Sequence, residues 1–153
     1  MTFGNELTPL SVQDEPTVQW PTEEGQYYTL IMTDPDAPSR TDQKFSQIKH
    51  WLVVNIPGND LSMGETLAGY RGSLPPEGSG LHRYIFLVYK QPGHLKHSET
   101  PLAPNDREGR RHFKARDFAN KYELGQPVAA NFFLAQSDDY AKQVWAQRLS
   151  EAK

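Results

Sequence analysis

The sequence predicts a mainly β domain with two helices in its C-terminal half. Three observations carry this. Twelve prolines and eleven glycines in 153 residues scatter turn signals along the chain, which suits short strands better than a helical bundle. Four short apolar stretches, Tyr27–Thr33, His50–Ile56, Leu81–Lys90 and Pro127–Gln136, lie between such signals. Helical spacing of apolar residues occurs in two places, both near the C-terminus.

The elements follow in order. Residues 1–26 hold only short apolar pieces, broken by Pro9, Pro16, Pro21 and Gly25. Tyr27–Thr33 (YYTLIMT) is rich in aromatic and aliphatic residues and stops at a DPDAP turn, so it reads as a strand. His50–Ile56 (HWLVVNI) is a second strand, closed by Pro57-Gly58-Asn59-Asp60. Leu81–Lys90 (LHRYIFLVYK) gives the strongest strand signal and is closed by Pro92-Gly93. The turn-rich segments 57–80 and 91–110 have room for edge strands or functional loops. Ala115, Phe118, Ala119 and Tyr122 then recur at helical spacing, with Gly125 just past the end as a stop signal. Pro127–Gln136 is read as the last strand. Ala141, Val144, Trp145 and Leu149 mark the second helix, preceded by Ser137, Asp138 and Asp139 as N-cap candidates. Short apolar strands between turns suit a sandwich.

Composition removes several classes of function. A net charge of −3 and a pI near 5.9 argue against a general nucleic-acid binder, which needs clustered positive charge. With no cysteine there is no disulfide framework, no thiolate zinc site and no thiol nucleophile. No apolar run is long enough to span a bilayer, and MTFGNELTPL lacks the charged-then-apolar form of a signal peptide. A cytoplasmic single domain with peripheral membrane contact at most is the expectation.

Strand alternation places the polar groups. His82 and Tyr84 share a side with Phe86 and Val88; His50 shares one with Leu52, Val54 and Ile56; Asp34 shares one with Tyr28, Leu30 and Met32. Asp34 stands at the exit of its strand, and His50 and His82 at the entrances of theirs. If the first two strands are antiparallel, these groups meet at one rim with the phenol of Tyr84. Each residue alone has an ordinary explanation: a turn former before Pro35, strand-end histidines, a core tyrosine. The basic run Arg107–Arg116 (REGRRHFKAR) has the look of a phosphate patch, but it contains Glu108 and starts a helix, so it is read as a solvated face. Two enzyme alternatives stay open, a hydrolase triad of Asp36, Ser39 and His50 and a metal site of Asp34, His50 and His82. Neither has a supporting motif: there is no G-x-S-x-G elbow and no histidine pair at helical spacing.

DPDAPSR at 34–40, HWLVVNIPGND at 50–60 and GLHRYIFLVYKQ at 80–91 resemble the signature segments of the phosphatidylethanolamine-binding protein family, also called the Raf kinase inhibitor protein family. LTP at 7–9, the 121–133 region and DDY at 138–140 extend the likeness over nearly the whole chain. The resemblance implies a β-sandwich with Greek-key character, a small rim pocket and a C-terminal helix beside it. It implies no enzyme and no cofactor, but a monomer that binds a phosphate-containing small molecule or phospholipid head group. A protein kinase or a serine protease is the implied macromolecular partner, with nucleic acid excluded. A pure interaction module or protease inhibitor with a vestigial pocket is the alternative.

The pocket residues implied by the family are those matching Asp34, Pro38, His50, His82, Tyr84 and Tyr140, with Leu74 and Pro76 in the segment Gly72-Ser73-Leu74-Pro75-Pro76. In that pocket Asp34 is expected to accept a hydrogen bond from a histidine and fix its tautomer. The sequence departs from the family pattern in three places. Leu74 replaces the glycine of a GSGPP segment, Ile48 replaces a tryptophan common before the second strand, and the segment before Phe3 is shorter than usual. The last departure predicts an uncovered sheet edge.

Overall fold

The computed structural model describes residues 4–103 and 105–151. Five strands form a single antiparallel sheet: β1 (Tyr27–Asp34), β2 (Ile48–Pro57), β3 (Glu65–Ala68), β4 (His82–Lys90) and β5 (Ala129–Ala135). Helix α1 spans Ala115–Lys121 and α2 spans Asp139–Glu151. The sheet order is β3-β2-β1-β4-β5. Its first four members have the Greek-key arrangement, in which the fourth strand returns to lie beside the first. The expected mainly β fold with two helices in the C-terminal half is thus present. No second hydrogen-bonded sheet forms among the described residues; each face is covered instead by loops or a helix.

Both faces are apolar, because β1, β2 and β4 are central and covered on both sides. One face gathers Tyr28, Leu30, Met32, Trp51, Val53, Phe86 and Phe133, with Trp20 of the N-terminal segment laid over them. The other gathers Ile31, Leu52, Val54, Leu67 and Tyr89 under Leu95 and under Ala115, Phe118 and Ala119 of α1. That is the apolar spacing read from the sequence. Helix α2 is capped as anticipated: Asp138 Oδ1 accepts the Ala141 N–H at 2.8 Å.

Two details depart from simple alternation. The β1–β2 register shifts between Met32↔Trp51 and Thr33↔Lys49, leaving His50 as the extra residue of a β-bulge. A second shift, between Tyr28↔Ile56 and Leu30↔Val53, accompanies Asn55 at φ 56°, a conformation asparagine tolerates better than most residues. His50 and Ile56 therefore do not share a face with Leu52 and Val54; both turn to the face of Trp51 and Val53. The sheet edges differ from the expectation as well. Residues 4–7 run beside β5, with Gly4 N–H donating to Phe132 O and Leu7 N–H to Leu134 O, both at 2.8 Å. Leu102 covers β3 by donating to Leu67 O at 2.8 Å. Phe3 lies outside the described residues.

Candidate functional site

The antiparallel pairings β1–β2 and β1–β4 bring the exit of β1 to the entrances of β2 and β4. Asp34, His50, His82 and Tyr84, all buried, consequently meet at one end of the sheet. Asp34 Oδ2 accepts the Nδ1–H of His82 at 2.8 Å, and Asp34 Oδ1 accepts the Asp36 N–H at 2.7 Å. The carboxylate thereby holds the DPD turn closed and fixes the histidine tautomer. His82 Nε2 lies 2.9 Å from the Ser79 hydroxyl, which itself lies 2.7 Å from Pro76 O. The His82 and Tyr84 rings are stacked at 6.2 Å, and Tyr84 meets the His50 ring edge-on at 5.2 Å.

The bulge turns the His50 ring toward Tyr84. Its Nδ1–H donates to Arg71 O at 2.8 Å, and its Nε2 has no protein partner among the described residues. Burial pushes the His50 pKa down, and the nearby Asp34 carboxylate only partly opposes it, so the imidazole is neutral near pH 7. Burial, the Asp34 charge and a hydrogen bond to that carboxylate raise the Tyr84 phenol well above its ordinary value, so it stays protonated. A bound anion would shift His50 back toward its charged, doubly donating form.

These groups form the floor of a cavity of about 150 Å³. Pro38, Leu74 and Pro76 stand in its wall, as does Ile48 in place of the expected aromatic residue. Leu74 serves through its backbone too, since its carbonyl accepts the Trp145 Nε1–H at 3.0 Å. Gly72 is required by a close approach: a Cβ there would sit 2.8 Å from Val12 O, which also accepts from Tyr70 Oη at 2.6 Å. These contacts pin the N-terminal segment against the loop that forms one wall.

Tyr140 does not line the cavity; Trp145 and Arg148 of the same helix do. Ala141 is buried in α2 and Val144, Trp145 and Arg148 are half-buried, so the face set by 3.6-residue spacing from Ala141 is the inward one. Arg107, Arg110 and Arg111 also line the cavity, which corrects the solvated-face reading for that part of the basic run; Arg107 is still exposed, as are His112, Lys114 and Arg116. Arg110 is fully buried and structural, donating to the carbonyls of Asp106, Lys49, His50 and Ala103 at 2.9–3.3 Å. Arg71 Nη1 is buried without a hydrogen-bond partner among the described residues. Burial and the cations Arg148, Arg110 and Arg107 lower the Arg71 pKa to about 10, so it stays charged at neutral pH. Sequence reasoning missed this arginine wall. The available signal was Arg148, seven residues after Ala141 and so on the same helix face.

The enzyme alternatives find no matching geometry. Asp36 is held by Arg83 and Gln43, Ser39 Oγ lies 3.2 Å from Thr41 Oγ1 and 3.2 Å from the Asp42 N–H, and neither residue bonds to His50. Among the described residues, no group of three His, Asp or Glu side chains converges as a metal site.

A model of the family described as phosphatidylethanolamine-binding protein matches residues 2–133. The chain belongs to the phosphatidylethanolamine-binding protein family. This family member is 37% identical over 141 residues to a Drosophila melanogaster protein named odorant-binding protein A5, covering 92% of this chain and 67% of that one. It superposes on the solution structure of CG7054 with a TM-score of 0.73 and 51% identity, over 90% of this chain and 79% of that one. It is also similar to a carboxypeptidase Y inhibitor, solved in complex with its cognate proteinase. There the TM-score is 0.71 and the identity 31%, over 88% of this chain and 76% of the inhibitor chain. The relatives named for an activity are thus binding or inhibitor proteins.

Proposed function

We propose that this chain binds a phosphate-bearing anion in the rim cavity and acts by binding rather than by turnover. The observation that carries the reading is the charge balance of the wall. Arg71, Arg107, Arg111 and Arg148 line it beside two imidazoles, and its one carboxylate, Asp34, is already bonded to His82. Such a wall attracts anions and offers them charge-assisted donors. In this reading His50 Nε2 and the Tyr84 hydroxyl contact the anion, Arg71 Nη1 gains its missing partner, and Asp34 positions His82. Titration calorimetry with inorganic phosphate tests it. Binding is expected, and it weakens roughly tenfold in His50→Ala, as for one lost charge-assisted bond. No binding of millimolar phosphate would overturn the proposal.

The likeness to the carboxypeptidase Y inhibitor favours a second role, protease inhibition through the surface. Inhibition of carboxypeptidase Y that survives His50→Ala would assign that role to a surface outside the cavity. A kinase partner would enter through a phosphorylated residue as the anion; a phosphoserine peptide that competes with phosphate is the corresponding result.

A further inference from the structure

Three of the arginines that line the cavity, here called its collar, each lie over an aromatic ring. Arg107 and Arg148 lie over the Trp145 ring, with guanidinium carbons 4.9 and 5.3 Å from its centroid. Arg111 lies 4.1 Å over the Phe45 ring. Among the described residues none of the three has a carboxylate at ion-pair distance, Glu151 acting on Arg148 only through its charge, although the chain as a whole is acidic. Arg83 and Lys121, by contrast, each have an acidic partner. Guanidiniums held over aromatic rings lose freedom of the side chain in advance, which favours charge-assisted bonds from their forks to phosphate oxygens.

The floor alone can satisfy one phosphate group, through His50, Tyr84 and the unpartnered Arg71 Nη1. One such group carries a charge of about −1.5 to −2 and leaves the collar unneutralised. A phosphoethanolamine would add an ammonium to this wall, where the one carboxylate is already engaged with His82.

Building on the anion-pocket reading, we infer that the occupant carries two phosphate-type groups close together, one on the histidine floor and one within the collar of Arg107, Arg111 and Arg148. The lowered pKa of Arg71, which follows from its burial and from Arg148, Arg110 and Arg107, is consistent with cations held together. The two groups can belong to a soluble diphosphate or to a bisphosphorylated lipid head group, which share this chemistry.

Calorimetry with three probes separates the possibilities. The expected order of affinity is pyrophosphate, then phosphate, then phosphoethanolamine, with pyrophosphate at least roughly tenfold tighter than phosphate. In a triple Arg107→Gln, Arg111→Gln, Arg148→Gln variant, both affinities should fall, pyrophosphate by at least roughly tenfold more than phosphate, so that the pyrophosphate advantage vanishes. Retained thermal unfolding of that variant, and an Arg→Lys triple with intermediate affinity, distinguish lost contacts from lost fold. Phosphate binding with no pyrophosphate advantage, or an advantage that survives the triple variant, overturns this inference and leaves the anion pocket standing. Failure of both probes to bind overturns both. Co-sedimentation with phosphatidylcholine vesicles containing a phosphatidylinositol bisphosphate, displaced by pyrophosphate, places the pair on a lipid. Tight pyrophosphate binding without co-sedimentation places it on a soluble ligand.

Discussion

The two ends of the sheet bury polar clusters of opposite character. At the far end Thr29, Asn55 and Gln91 form a neutral amide network. Gln91 Oε1 accepts from Thr29 Oγ1 at 2.7 Å and from the Asn55 N–H at 2.8 Å, while Gln91 Nε2 donates to Asn55 Oδ1 and Gly93 O, both at 2.9 Å. Asn55 Oδ1 also accepts the Leu95 N–H at 2.7 Å. At the site end, among the described residues, Arg71 Nη1 is a buried donor without a partner, and the cations lining the cavity outnumber the carboxylates. A closed network fixes the chain; donors left in excess are available to something outside it.

Substitutions can break that contrast. Gln91→Leu should have the largest effect, because it orphans two buried donors and crowds Asn55. The expected loss is on the order of 3 kcal/mol in urea denaturation, with phosphate affinity unchanged. Next comes Asp34→Asn, which removes the charge that favours the protonated form of His50. Phosphate affinity should fall roughly tenfold by calorimetry; unchanged or tighter binding would show that the carboxylate does not assist His50.

A smaller effect concerns the second carboxylate of the DPD turn. Burial acts to raise the Asp36 pKa, but bonds from the Arg83 guanidinium and N–H, with a further one from Gln43, outweigh it and hold the pKa at about 2. A depressed acid stabilises the fold above its unfolded value of 3.8, and that contribution disappears as pH falls toward 2. The half-exposed Arg83 admits solvent screening, so the loss should be about 1 kcal/mol, and it should shrink in Arg83→Met. Acid titration of the unfolding midpoint reads it. Tyr140→Phe should do least, changing phosphate affinity less than about twofold, since this ring lies off the cavity.

The central strands and the rim were legible in the sequence because apolar runs, turn residues and period-two alternation agreed there. Three features were not. The bulge at His50 has no compositional mark, so alternation alone put that ring on the wrong face. Strand β3 is four residues long and too short to show a period. The arginine wall depends on how α2 docks; the pattern gave the inward face through Ala141, Val144 and Trp145, and Tyr140, to which the family likeness pointed, lies one turn before Val144, half-buried but not lining the cavity.

Helix α2 closes the cavity with few anchors of its own: Ala141 is its one fully buried side chain among those described. Its Trp145 and Arg148 belong to the cavity wall. Occupancy and helix docking are therefore linked equilibria, and each must shift the other by the same free energy. Hydrogen exchange along 139–151 would then serve as a gauge of whether the cavity is filled, read some distance from the histidines themselves.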